Sequence, residues 1–258
     1  MDRTNWQFGK ANVNILVVGI VYKGIAFPIA WILLDKKGNS NTEERIKVME
    51  KVLKIIPKTL IENLLADREF IGKKWFSWLI DEEISFVIRI KDNLKITRRG
   101  KVRAVKTSFR CRKDYQAISL KESLEICGVT LFITGTKVEG EFCIVVSQHP
   151  QKESIEIYLK RWAIETFFGC IKTKGFCMEN THMTDLKKVS KLLSIIVIAF
   201  TWAHLVGEFL NEDIPIKIKK HGRKSISLFR YGLDFLQRIF LNQSFDRISF
   251  LTSIKCLL

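Results

Sequence analysis

The sequence predicts an α/β protein: a mixed sheet whose early strands run antiparallel, with helices on both faces and a β-rich insertion. Three observations carry this prediction. Residues 12–34 form two β-prone apolar runs split by a turn at Lys23-Gly24. Helical periodicity then appears at 43–56, at 73–80 and again beyond 157. Between 92 and 148 that periodicity is lost, and short β-prone runs follow one another between glycines and charges.

Taken in order, Asn12–Tyr22 and Ile25–Leu34 read as a β-hairpin. Lys36-Lys37-Gly38-Asn39-Ser40-Asn41 is a turn, and Thr42 is placed to cap a helix over Glu43–Ile56, with Glu43 and Glu44 favourable in its first turn and Pro57 ending it. Leu60–Ala66 supplies a short apolar strand that delivers Asp67 at its C-terminal end, where ligand sites of α/β sheets gather. Asp67 has a second reading, as N-cap of the helix over Lys73–Ile80. Ile84–Lys91 is another strand. In the insertion, the runs Thr107–Arg110, Ala117–Leu120, Val129–Thr136 and Phe142–Ser147 are the strand candidates.

The stretch Tyr158–Lys172 reads as an amphipathic helix. At about 100° per residue, Tyr158, Arg161, Glu165 and Lys172 fall within an arc of about 60° and form one polar stripe, beside an apolar face of Ile157, Ile164, Phe167, Phe168 and Ile171. Geometry alone leaves two readings open, a surface helix laced by ion pairs or a functional stripe. Lys172-Thr173-Lys174-Gly175 closes the helix with cations and a glycine. Asp185–Leu210 then forms an apolar helix; its longest apolar run, Leu192 to Val206, is interrupted by Ser194, Thr201 and His204 and is short of the ~20 residues of a membrane span, so a buried core helix is expected. The resulting divisions are 1–91, 92–148 (the insertion), 149–210 and a basic tail, 211–258.

With 258 residues and 47% hydrophobic content, the chain can bury a large core. Lys and Arg number 43 against 27 Asp and Glu, a net charge of +16 that predicts a polyanionic partner, nucleic acid ahead of an anionic membrane. Arg98, Arg99, Lys101, Arg103, Lys106, Arg110, Arg112 and Lys113 make the first half of the insertion basic, either as a solvated face or as phosphate contacts. Lys217, Lys219, Lys220, Arg223, Lys224 and Arg230 do the same for the tail. Cys111, Cys127, Cys143, Cys170, Cys177 and Cys256 contain no Cys-x-x-Cys pair and the four histidines are scattered, which argues against zinc and for free thiols. No Gly-rich phosphate loop and no Ser-His-Asp arrangement is present.

The order and spacing Tyr158, Arg161, Glu165, Lys172 resembles the signature helix of DDE transposases of the insertion-sequence-four family. Asp2-Arg3-Thr4-Asn5-Trp6 and Asp67-Arg68-Glu69-Phe70 resemble that family's two aspartate motifs, with Gly38–Thr42 between them and Glu179-Asn180-Thr181-His182 after the helix. The resemblance runs from residue 2 to about residue 230.

It implies a ribonuclease-H-like fold in which Asp2, Asp67 and Glu165 are the catalytic carboxylates and hold two Mg²⁺ or Mn²⁺ ions for phosphoryl transfer on DNA. It assigns Tyr158, Arg161 and Lys172 to DNA phosphates near the cleaved end, Arg161 as a bidentate grip and Lys172 as a point charge. It accounts for the β-rich insertion, but the aromatic residue that would stabilise a flipped base stays unassigned among Phe109, Tyr115, Phe132 and Phe142.

The implied activity is cut-and-paste transposition at insertion-sequence ends. The partners are double-stranded DNA, at inverted repeats and target, and a second copy of the chain, in a bacterial cytoplasm and without a membrane. Family members usually carry a DNA-binding region ahead of the first aspartate, and Asp2 follows Met1 directly, so the expectation is a catalytic core from a truncated element. The alternative is a catalytically inactive DNA-binding remnant that inhibits full-length transposase. A structure-specific nuclease on the same scaffold is a third reading.

Overall fold

The computed structural model describes residues 1–98, 100–110, 114–151, 153–220, 222–241 and 247–257. They form two compact units, Met1–Thr166 and Phe167–Leu258.

The first unit opens with an antiparallel meander of β1 (Asp2–Phe8), β2 (Ala11–Tyr22) and β3 (Ile25–Leu34), in which Asp2 lies opposite Val17. Lys23 and Gly24 both have positive φ, +46° and +81°. A two-residue turn of that hand matches the twist of its strands, which is why the expected hairpin closes there. Helix α1 (Thr42–Leu53) starts one residue early, because Asn41, not Thr42, is the cap: its side chain accepts from the Glu44 amide at 2.9 Å, while the Glu44 carboxylate takes the Asn41 amide at 2.7 Å. This reciprocal pair draws Thr42 into the first turn.

The strand expected over Leu60–Ala66 is only β4 (Leu64–Ala66); a 3₁₀ turn occupies Lys58–Leu60. Helix α2 (Lys73–Asp81) carries the chain across to β5 (Phe86–Arg89), parallel to β4. Gly72 stands at the N-cap of α2, so the capping reading of Asp67 fails.

Residues 92–148 are β-rich as expected. A hairpin of β6 (Lys95–Arg98) and β7 (Lys101–Ala104) comes first, then β8 (Ile118–Ser119), β9 (Leu124–Ile126), β10 (Val129–Val138) and β11 (Glu141–Ser147). The long β10–β11 hairpin is built into the sheet that carries β4, in the order β4-β5-β11-β10-β8. The sheet is mixed, with β5–β11 and β10–β11 antiparallel. Instead of a strand over Thr107–Arg110 there is a 3₁₀ turn at Val105–Ser108, which seats Phe109 on the sheet. Gly135 makes room for it: a Cβ there would lie 2.8 Å from the Phe109 ring.

Leu16, Val48, Phe76, Phe86, Ile133 and Val146 belong to one buried cluster beneath these elements. Helix α3 (Ser154–Leu159) adds Ile155 and Tyr158 to a second cluster with Val87, Cys143 and Val145. From Asp2 onward no ladder joins β1 to β4 among the described residues; the Met1 amine donates to Leu65 O at 2.7 Å.

A 3₁₀ turn at Lys160–Trp162 leads into α4 (Ala163–Gly169), which runs on into the second unit. There a π-helical turn, Cys170–Lys174, and a 3₁₀ turn, Met178–Thr181, precede α5 (Leu186–Asp213); Asp185, expected as its first residue, is instead its cap, and the helix runs three residues past the expected Leu210. Helix α5 is long and apolar enough to cross a membrane by length and composition alone. The Phe200 ring on α5 has its centroid 5.2 Å from that of Phe167, edge-on, and 5.2 Å from that of Phe229, tilted, the latter on α6 (Leu228–Leu241). The α5 and α6 backbones touch at two glycines: a Cβ on Gly232 would sit 1.8 Å from Ala203 O, and one on Gly207 1.9 Å from Leu228 O. Helix α7 (Arg247–Lys255) closes the chain, with the Trp202 indole N–H donating to Ser253 O. Cys127, Cys143, Cys170, Cys177 and Cys256 are free thiols; Cys111 lies outside the described residues.

Candidate functional site

Asp2 is the first residue of β1, and Asp67 follows directly on the last residue of β4, at the C-terminal end of a parallel strand. Each carboxylate accepts the amide of its own successor, Arg3 N at 2.7 Å and Arg68 N at 2.6 Å, which fixes its rotamer from the local backbone. The two are near enough that the charge of Asp67 acts on Asp2.

Arg161 joins this pair to the helical segment. Its Nη1 donates to Asp2 Oδ2 at 2.5 Å and its Nη2 to Glu165 Oε1 at 2.9 Å. The guanidinium is buried at 7% exposure, with the Tyr158 ring centroid 5.7 Å away and Tyr158 itself 1% exposed. Tyr158 and Arg161 therefore lie inside the core rather than at its edge, while the Glu165 side chain is 58% exposed. The stripe runs from the interior outward.

The charges bear the mark of that burial. It pushes the Asp2 carboxyl above the usual carboxylate range, against the pull of Arg161 and of the Arg3 amide. Burial also raises the Tyr158 phenol, with Arg161 opposing. For Arg161 burial works against the charge, and its neighbours Tyr158 and Asp2 more than offset it, so the guanidinium stays protonated. The Tyr158 hydroxyl feels that charge but makes no hydrogen bond of good geometry among the described residues.

The single uniform helix expected over Tyr158–Lys172 is not what forms. α3, a 3₁₀ turn, α4 and a π turn succeed one another, and the 3₁₀ turn contains Arg161, the residue held at both ends by carboxylates. Tyr158 and Arg161 still come together because an offset of three suits both helix types, and Arg161 reaches Glu165 because the chain is α-helical again from Ala163, where an offset of four faces the same way. Lys172 lies in the π turn of the second unit, 3.4 Å from Glu179. The wider π turn carries extra residue per turn and removes Lys172 from the 100° phase.

Of the basic residues in the insertion, Arg98 pairs with Glu122 at 2.5 Å and Lys106 with Asp92 at 2.9 Å. Lys101, Arg103 and Arg110 are exposed; Arg99, Arg112 and Lys113 lie outside the described residues. Sequence reasoning passed over Arg3, Asn14, Arg45 and Glu69, which interlock behind the aspartates. Their signal was their place: Arg3 and Glu69 stand within the two aspartate motifs.

Could a divalent ion sit here? The donors are of the right kind, hard carboxylate oxygens from three distant parts of the chain. The place also takes positive charge, since the Arg161 guanidinium already stands between Asp2 and Glu165 as a stand-in cation. As arranged around that guanidinium, no three His, Cys, Asp or Glu side chains among the described residues are grouped closely enough to hold an ion.

A family model described as a transposase DDE domain matches residues 2–202, from the first aspartate to beyond the Arg161–Glu165 segment. No curated protein matches the chain.

Proposed function

We propose, from the premise that this chain belongs to the transposase DDE-domain family, that it cuts and joins DNA strands at the ends of an insertion sequence, with Asp2, Asp67 and Glu165 as its catalytic carboxylates. The observation that carries the reading is the meeting of Asp2 and Glu165 on one buried guanidinium, with Asp67 acting on Asp2. The family implies DNA as substrate, and a net charge of +16 suits it.

DDE transposases as a group use divalent metal ions, and here Asp2, Asp67 and Glu165 would hold them. Two ions, Mg²⁺ or Mn²⁺, would supply activation of the attacking oxygen and stabilisation of the leaving 3′-oxygen. The chain's own groups supply the rest. Arg161, once released from Asp2 and Glu165, presents a planar fork that fits a phosphate in two parallel bonds. Tyr158 backs that fork with its ring, and Lys172 adds a point charge farther along the chain. The apolar floor under Tyr158, made of Val87, Cys143, Val145 and Ile155, keeps water from behind the site.

Finer assignments belong to the same reading: membership of the insertion-sequence-four branch, a ribonuclease-H-like fold, and action as a homodimer on inverted repeats and target DNA in the bacterial cytoplasm. The strand order supports the fold, with an antiparallel β3-β2-β1 meander followed by a parallel β4–β5 pair.

The test is cleavage of a supercoiled plasmid in Mn²⁺ by the whole chain, beside Asp67→Asn and Glu165→Gln. Cleavage by the parent and its loss in both variants is expected. Equal cleavage by all three would sink the assignment, and DNA binding without cleavage by the parent would leave a non-catalytic DNA-binding protein.

A further inference from the structure

Asp2 and Asp67 sit on elements that no ladder joins, since β1 belongs to the meander and β4 to the other sheet. Two carboxylates that must share one site also repel each other. Among the described residues their main chains meet only through the Met1 amine, which donates to Leu65 O at 2.7 Å, so side chains share in setting their separation.

Behind them, side chains do this. Arg3 Nε donates to Glu69 Oε1 at 3.1 Å and Arg3 Nη2 to Glu69 Oε2 at 3.2 Å, two parallel bonds between the strand of Asp2 and the loop of Asp67. Both side chains are largely buried, 13% and 19% exposed, where such a pair keeps its geometry. Neighbouring residues on a strand point to opposite faces, so Arg3 works from the far side of β1 and adds no group to the Asp2 face.

The two ends of the clamp are themselves held. Arg3 Nη1 also donates to Asn14 Oδ1 at 3.1 Å; Asn14, 1% exposed, gives its amide hydrogens to Lys36 O at 3.1 Å and Gly38 O at 3.0 Å. The loop is gripped through its backbone by Arg45, whose Nη2 donates to Glu69 O at 2.9 Å and to Ser40 O at 2.6 Å. Glu69 is thus fixed by one arginine at its carboxylate and by another at its carbonyl.

We propose that Arg3 and Glu69 are positioning residues: their paired bonds hold the loop of Asp67 at a set distance from the strand of Asp2. The proposal rests on the active-site reading for its consequence, but not for its geometry. Neither residue touches the reacting atoms.

The experiment compares Arg3→Gln, Glu69→Gln and the exchanged pair Arg3→Glu with Glu69→Arg, all in the whole chain. Amide hydrogen exchange over residues 64–70 is expected to quicken in both single variants and to slow again in the exchanged pair. Mn²⁺ affinity, read by electron paramagnetic resonance, is expected to fall about 10- to 100-fold in the singles and to recover in the exchange, as for groups that orient metal ligands. Exchange at 64–70 unchanged in both singles would overturn the proposal. So would global loosening, with all segments quickened alike and no recovery in the exchanged pair. If residues 64–70 respond as expected while the parent chain binds no Mn²⁺, the clamp stands and the metal-dependent reading falls.

Discussion

Arg161 ties together two carboxylates that the sequence separates by more than 150 residues, and its removal has a definite cost. Truncating one partner of a buried pair leaves the other charge desolvated, so Arg161→Gln should lower stability by about 3 kcal/mol in chelator. Because the guanidinium stands where a cation would, Mn²⁺ should restore much of that loss; thermal unfolding with and without Mn²⁺ reads both. A loss that Mn²⁺ leaves untouched would mean the place does not accept an ion. Cys170 offers a simpler check. Burial pushes its thiol up to about 12, leaving almost no thiolate at pH 8. Iodoacetamide should leave Cys170 unmodified in the folded protein and label it after denaturation, as seen by peptide mass spectrometry. At this scale the residue types and their offsets could be read from the chain, since Asp67 at a strand end and the Arg161-to-Glu165 spacing need only local periodicity. That Arg161 turns inward to Asp2 could not, because it depends on a contact between residues 159 positions apart.

Helix α1 and the α5–α6 pair show where local rules hold and where packing overrides them. The start of α1 lies one residue before the expected one because Asn41 and Thr42 are both good caps, and only Asn41 has Glu44 three residues on to complete the box. Asn41→Ala should therefore cost about 1 kcal/mol in urea unfolding, and Thr42→Ala much less. At the α5–α6 contact there is no room for a methyl group at all. Gly232→Ala must part the two helices and should cost upward of about 3 kcal/mol, the high end for overpacking, measured by the same unfolding. A glycine inside a helix pattern reads in sequence as a weakness; that it is a contact point depends on a second helix arriving there. The joining of β10 and β11 to β4 and β5 was hidden for the same reason. Strand candidates are local, but the neighbour a strand chooses is not.

For the molecule as a whole, the excess of positive charge predicts strong salt dependence. If 6 to 10 phosphates are neutralised, DNA affinity should drop roughly 10³- to 10⁵-fold between 50 and 200 mM salt. Reversing the exposed Lys101 and Arg103 together should flatten the plot of log affinity against log salt by about two in slope, on any DNA sequence, measured by fluorescence anisotropy. An unchanged slope would move the contact elsewhere. The join between the meander and the β4-led sheet has a consequence of another sort. A ladder can be reset only in whole steps, because slipping one residue turns every side chain over, so the smallest harmless slip is two residues, about 6.6 Å. A bridge of side chains such as Arg3 to Glu69 has no such quantum. Its length can drift by tenths of an ångström through single substitutions, so natural selection has a fine adjustment for the gap between Asp2 and Asp67 that hydrogen-bonded strands would have denied it.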